Sequence, residues 1–385
     1  MTFHPDAIRS KFPEMGTNIF TAMNVVARDH GAINLAQGFP NFDCPEQLRD
    51  YLAEACRTGR NQYAPMPGLP ELREGISAKV ESLYGRKYDA EDEITITPGG
   101  HCALMAAATA VLHPGDEVII FEPSFDCFVP IVQLSRATPV FVKLRFPDYS
   151  VPWDEVRAKI SKKTKLIWIN SPHNPTGATL SEADMRTLSA IVRDTNIIIL
   201  SDEVYEHIIF DGEKHQSVCR HPELAERSFA VYSFGKVFHV TGWKVGYCLA
   251  PRELMREFRK IYQMINFTVN HPAQWAIAQY LSNREHYLNL SDFYQRKRDR
   301  FLERLTESRF KFVPARGSYF QCLRYDEISS EPEIDVAKRF AREAKVASIP
   351  LSVFYSDGTD NRILRFCFAK TDDVLEQAAE ALCKI

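Results

Sequence analysis

The residue types best suited to chemistry fall in five short segments, each directly after a short apolar run. Ile94-Thr95-Ile96 is followed by Thr97-Pro98-Gly99-Gly100-His101, where glycines before a helical run free backbone N–H groups to hold a phosphate. Phe121 is followed by Pro123 and Phe125, and Ile169 by Ser171-Pro172-His173-Asn174-Pro175-Thr176-Gly177. Leu200 leads into Ser201-Asp202-Glu203-Val204-Tyr205, and Tyr232 into Ser233-Phe234-Gly235-Lys236. Taken singly, each has an ordinary explanation: a turn at Gly99-Gly100 or Asn174-Pro175-Thr176-Gly177, a helix cap at Asp202, core packing at Phe125 and Tyr205, a surface amine at Lys236. Together they meet the needs of pyridoxal 5′-phosphate (PLP). That cofactor requires an amine to form a Schiff base (Lys236), an anion beside its pyridine nitrogen (Asp202) and donors on its ring oxygen (Asn174, Tyr205). Its phosphate requires backbone N–H groups, a hydroxyl and a cation, for which Gly100-His101, Ser233 and Lys244 are candidates, and its ring requires a flat neighbour such as Phe125.

Groups so far apart in sequence converge only if the apolar runs are strands of one sheet, because ligands of open α/β sheets bind outside the carboxyl ends of the strands. The runs at 94–96, 118–121, 140–142, 166–169, 197–200, 231–232 and 245–248 are apolar on both faces, as strands between two helix layers must be. Helical patterns separate several of them. Between 181 and 194, Ser181-Glu182-Ala183-Asp184 is a capping-box-like start and Met185, Leu188 and Ile191 recur at helical spacing. The expectation is an α/β fold: a large domain over 46–275 with a mostly parallel seven-stranded sheet between helices, and room for an antiparallel edge strand. A smaller α+β domain is expected from both chain ends, 1–45 and 276–385, with helices over 18–29, from 301–305 onward and over 335–343, and a strand at 363–366.

Composition agrees with a globular protein. Across 385 residues, 45% are hydrophobic and 25% charged, and the net charge of −3 gives no pull toward nucleic acid or acidic lipid. The basic cluster Arg296-Lys297-Arg298 with Arg300 includes Asp299 and reads as a solvated helix face. The nine cysteines form no C-x-x-C pair and no metal-ligand spacing, so reduced thiols, no metal and a cytoplasmic location are expected. The stretch 1–6 lacks the apolar region of a signal peptide, and no run approaches a membrane span.

Five segments in this order and spacing resemble the fold-type I PLP-dependent aminotransferases of class I/II: Asn174-Pro175-Thr176-Gly177, Ser201-Asp202-Glu203-Val204-Tyr205, Ser233-Phe234-Gly235-Lys236, Gly242-Trp243-Lys244-Val245-Gly246 and Leu364-Arg365-Phe366-Cys367-Phe368. Asn34-Leu35-Ala36-Gln37-Gly38-Phe39-Pro40 and Asn61-Gln62-Tyr63-Ala64-Pro65-Met66-Pro67-Gly68 extend the similarity toward the branch of bacterial methionine aminotransferases and kynurenine/glutamine transaminases. The resemblance implies that Lys236 is the Schiff-base lysine, Asp202 the partner of the pyridine nitrogen, and Asn174 and Tyr205 neighbours of the ring oxygen. It implies that Phe125 stacks on the ring and that Gly99, Gly100, His101, Ser233 and Lys244 surround the phosphate. Tyr63 would reach the phosphate of a neighbouring subunit, which makes a homodimer with shared active sites. Arg365, with Gly38 and Asn174, would hold the α-carboxylate of an amino acid or 2-oxo acid, and Phe20, Tyr63 and Phe354 would line the side-chain pocket.

Three positions depart from the commonest family pattern. Lys244 stands where Arg is usual, His101 where Thr or Ser is frequent, and Phe125 where Tyr is frequent; Lys keeps the charge but not the planar fork of Arg. A carbon–sulfur β-lyase using the same Lys, Asp and Arg is the nearest alternative. A non-catalytic protein on this fold is more distant, since Lys236 is present, and no nucleotide-binding glycine motif occurs.

Overall fold

The seven apolar runs form strands because their branched and aromatic residues fit a surface covered on both sides. In the computed structural model, which describes residues 9–13 and 15–385, a two-residue strand β1 (Ile33–Asn34) precedes them. They become β2 (Ile94–Thr97), β3 (Glu117–Glu122), β4 (Thr138–Lys143), β5 (Thr164–Asn170), β6 (Ile198–Asp202), β7 (Ser228–Ser233) and β8 (Gly246–Leu249). The N-terminal stretch 1–6 lies outside the described residues.

The strands make one sheet in the order β2-β8-β7-β6-β5-β3-β4. All neighbours are parallel except at β8, which runs antiparallel to both β2 and β7. The opposed strand is therefore interior, between β2 and β7, and not at the edge where room for one was allowed. Its start lies at the carboxyl ends of the others, where Gly246 pairs with both Thr97 and Ser233. Alternate side chains enter two cores: Val118, Ile120, Leu166, Trp168, Leu200 and Val231 on one face, and Ile119, Ile167, Ile169, Ile199, Ala230 and Tyr232 on the other. The helix Glu182–Val192 begins with the expected capping box, Ser181 and Asp184 each accepting from the other's backbone N–H.

The chain ends build a second layer. Helix Ile19–Asp29 starts at Asn18, whose side chain accepts from Phe20 N at 2.8 Å. β9 (Phe320–Arg324), β10 (Val346–Ala347), β11 (Ile349–Pro350) and β12 (Ile363–Cys367) follow, with antiparallel order β11-β12-β9, while β1 pairs with β10 in parallel. The expected helix from 301 onward is Leu290–Leu305 instead; it stops where Thr306 and Ser308 hydroxyls take the carbonyls of Glu303 and Leu305. A boundary at 275/276 cuts the helix His271–Leu281, which packs on the helices Glu46–Arg57 and Pro70–Tyr84 and whose Gln274 accepts from Leu69 N at 2.9 Å. No helix among the described residues is long and apolar enough to cross a membrane.

Beneath β6 to β8 lies a buried polar network. The Glu206 carboxylate is paired with Lys79 and Tyr84 and accepts from Tyr247 at 3.3 Å, while Lys79 also donates to Tyr247 at 3.0 Å. Burial alone would raise its pKa, but the Lys79 charge overrides this and holds the carboxyl down at about 2. Removing the cation leaves an uncompensated buried charge, so Lys79→Met is expected to lower stability by about 3–5 kcal/mol. Lys79→Met combined with Glu206→Gln is expected to cost less than the single change, measured by urea unfolding.

Candidate active site

The residues expected around the cofactor gather at the carboxyl edge of the large sheet, where β2, β5, β6 and β7 end and β8 begins. β2 ends at Thr97, whose hydroxyl donates to Gly99 O at 3.0 Å, and Gly100 opens the helix Gly100–Val111. Gly99 has φ +84°, and a Cβ there would stand 3.1 Å from Lys244 Nζ. A Cβ on Gly246 would come within 3.0 Å of Gly100 N and 2.6 Å of Tyr232 O. The absence of side chains thus lets three strand ends meet around backbone N–H groups with one amine beside them, a cradle suited to a phosphate. Ser233 is buried at the end of β7. His101 is exposed on the first turn of the helix and meets the half-buried Phe125 edge-on, with ring centres 6.4 Å apart.

Lys236 begins one residue beyond Gly235 on the short helix Phe234–Val237, and its amine is turned into the cleft. Nζ donates to the Tyr319 hydroxyl at 3.0 Å, lies 3.4 Å from Gly38 O, and sits 5.6 Å from the ring centre of Tyr205. Burial pushes its pKa down to about 8, with Lys244 and Arg365 acting in the same direction and Cys367 and Asp202 opposing. Asp202, at the end of the adjacent β6, is buried, and its carboxylate has one hydrogen bond among the described residues, from Val204 N at 3.3 Å. Burial raises its carboxyl to about 7, despite the Val204 N–H and the Lys236 charge. Tyr205 is buried, and burial raises its phenol further above the ordinary value.

Arg365 comes from β12. It is 1% exposed, donates to Asn174 Oδ1 at 2.8 Å and Ala36 O at 3.1 Å, and lies 4.0 Å above the ring of Phe320. Phe20 and Phe354 stand beside it, with ring centres 5.2 and 5.6 Å from the guanidinium carbon. Asn174 is held in turn by Asn170, whose Oδ1 accepts from its N–H at 2.9 Å. Gly38 is packed against Phe320, and Lys370 fixes its loop by donating to Gln37 O and Phe39 O.

The structure therefore brings Lys236, Asp202, Tyr205, Asn174, Arg365, Gly38 and Phe20 into one cleft, with Gly99, Gly100, Ser233 and Lys244 at its end. Tyr63 does not join them within the chain: it is 81% exposed and packs edge-on against Phe267. Tyr319, Gly246 and Lys370 escaped sequence reasoning. Gly246 belongs to a quoted segment but carries no functional group, and Tyr319 follows Gly317-Ser318 in a stretch without a catalytic pattern.

A sheet of this order carries an amine, a buried acid and a glycine cradle at its carboxyl edge, the groups that PLP chemistry needs. The model of the family "Aminotransferase class I and II" matches residues 30–382, and the chain belongs to that family. It is 46% identical to a methionine aminotransferase of Escherichia coli, over 99% of both chains. It is 31% identical to human kynurenine–oxoglutarate transaminase 3, over 96% of this chain and 88% of that one. A solved structure identifying a methionine aminotransferase function in an Escherichia coli protein superposes with TM-score 0.96 at 45% identity, covering 98% of this chain and 99% of that one. The protein is accordingly a PLP-dependent aminotransferase that moves an amino group between an amino acid and a 2-oxo acid.

The residues present fit the cofactor. Among the described residues the Asp202 carboxylate has a single donor, and the glycine cradle leaves no room for a side chain beside its backbone N–H groups; Arg365 Nε, buried without a partner among them, is left for the anion of a substrate. Because the folded pKa of Asp202 lies above its unfolded value, the folded cofactor-free protein holds a proton that the unfolded chain releases. Its contribution to stability is present below about pH 4 and is lost as pH rises toward 7. Asp202→Asn is therefore expected to stabilise the cofactor-free protein relative to wild type at pH 8 but not at pH 4, by about 1.4 kcal/mol for each pH unit crossed. Thermal unfolding of both proteins at the two pH values checks this.

Proposed function

We propose that the protein takes methionine or another large apolar, aromatic or glutamine-like L-amino acid as donor, with Lys236 as the proton-moving residue. The observation that carries the reading is the junction of an amine of lowered pKa with a buried guanidinium that has an unpaired Nε and is flanked by Phe20 and Phe354. The similarity to a methionine aminotransferase over nearly the whole chain supports the choice of donor.

In this reading Asp202 would hold the pyridine nitrogen, Asn174 and Tyr205 the ring oxygen, and Phe125 a face of the ring. Gly99, Gly100, His101, Ser233 and Lys244 hold the phosphate. Bound there, PLP supplies a ring that takes up the charge left when the Cα–H bond breaks. Arg365 grips the substrate α-carboxylate with charge-assisted hydrogen bonds, and Asn174 and Gly38 complete that end. Fixing the carboxylate orients the Cα–H bond toward Lys236 Nζ, which takes the proton and returns it on the cofactor side. An amine with a pKa near 8 is neutral often enough near pH 7–8 to act as this base. The side chain of the donor would lie against Phe20 and Phe354, whose rings stand 6.1 Å apart.

The enzyme would work as a homodimer. The exposed Tyr63 packs on the exposed Phe267, which is close in sequence to the exposed Met264 and Ile265, an apolar surface that a second copy would cover while lending Tyr63 to its phosphate site. The two-domain division expected at 46–275, with 1–45 and 276–385, also fits this reading once its later boundary is moved past the helix His271–Leu281. Reduced cysteines are compatible with a cytoplasmic location.

A panel of donors with a common oxo acid tests the reading: methionine, phenylalanine and glutamine are expected to turn over faster than aspartate. Preference for aspartate, or release of pyruvate and ammonia from a cysteine conjugate without any oxo acid, would contradict it. Arg365→Ala is expected to raise KM and lower kcat together, with kcat/KM down by about 10²–10³-fold, from steady-state kinetics.

A further inference from the structure

The amine of Lys236 has a neighbour that the roles above leave unused. Tyr319, just before β9, is fully buried; its hydroxyl donates to Gly38 O at 2.6 Å and accepts from Lys236 Nζ at 3.0 Å. Burial, with Tyr205, Cys367 and Tyr294 nearby, holds its pKa well above that of a free phenol, so it stays protonated. Its single hydrogen is committed to Gly38 O, which leaves a lone pair for the amine. The ring cannot swing away, being edge-on to Tyr205 at 5.1 Å and to Phe320 at 5.0 Å, with Tyr294 at 5.7 Å. The other acceptor near Nζ, Gly38 O, is more distant at 3.4 Å and already occupied by Tyr319.

We propose that Tyr319 is a further catalytic residue, whose hydroxyl oxygen receives an N–H of Lys236 whenever that amine is free and so fixes both its position and its readiness to take a proton. The inference rests on Lys236 being the proton-moving residue. When Nζ takes the substrate Cα proton, the electron pair of the broken C–H bond stays on carbon and Nζ becomes an ammonium. One of its N–H bonds is donated to Tyr319, whose own proton remains on the hydroxyl and pointed at Gly38 O. No net proton passes to the phenol; it serves as an oriented acceptor. The same hydroxyl ties the amine to the loop of Ala36 and Gly38, where Arg365 is also anchored.

Tyr319→Phe keeps the ring and removes only the oxygen. An acceptor favours the ammonium, so its loss is expected to lower the pH midpoint at which Lys236 of the cofactor-free enzyme reacts with an amine-acylating reagent, followed by peptide mass spectrometry. The expected fall is about one pH unit. Asp202, Lys244, Arg365, Cys367 and Tyr205, the other groups that face the amine, are the same in both proteins, so the difference reports the hydroxyl. In the loaded enzyme kcat is expected to fall about tenfold with KM little changed, and the isotope effect of α-deuterated substrate to rise.

An unchanged midpoint together with an unchanged isotope effect would overturn the role of Tyr319. Should the Phe variant fail to fold, 3-fluorotyrosine at 319, a weaker acceptor in the same ring, is expected to shift the midpoint in the same direction by less, and no shift would overturn the role. PLP should protect wild-type Lys236 from the reagent. Failure of that protection would remove the reading of Lys236 itself, whereas protection with no shift would remove only Tyr319.

Discussion

Taking an amine out of water costs its charge, and the site is organised around that cost. Lys236 lies half-buried between two phenols and a carbonyl, and the loss of water brings its pKa down to about 8, while Asp202 at the end of the adjoining strand is pushed in the opposite sense to about 7. Burial thus brings both groups toward charge change near neutral pH, which suits the proton-moving role proposed for Lys236, while a protonated pyridine nitrogen beside Asp202 would favour its charged form again. The effect depends on β6 and β7 being neighbours in a sheet apolar on both faces, so that the two side chains emerge together at an edge that the chain ends then cover.

The rest of the architecture serves the same edge. The reversed direction of β8 brings Lys244 and Gly246 to the carboxyl ends of the parallel strands, and the glycines at 99, 100 and 246 let backbones approach more closely than side chains would allow. Arg365 enters from a different sheet, its guanidinium stacked on Phe320 and shared between Asn174 and Ala36. With Arg316 and Gly317, whose N–H groups donate to Gly177 O, it ties the part built from both chain ends to the loop after β5.

Much of this was legible in the sequence because its signals are local. The seven strands showed as doubly apolar runs, and Asp202, Lys236 and Asn174 as polar groups placed directly after them. The direction of β8 was not legible: an apolar run of four residues reads the same either way, and only pairing with β2 and β7 sets its sense. The end of the helix at Leu305 depended on hydroxyls of Thr306 and Ser308 capturing carbonyls, which composition does not announce. Tyr319 was missed because a tyrosine beside a strand is normally core; its hydroxyl gains meaning only when Gly38, 281 positions away, is folded beneath it.

The most direct measurement is to reduce the PLP-loaded protein with borohydride, digest it and locate the added phosphopyridoxyl mass. The account predicts that mass on the peptide containing Lys236 and on no other. Attachment at Lys244 or another lysine, or no attachment at all, would contradict it.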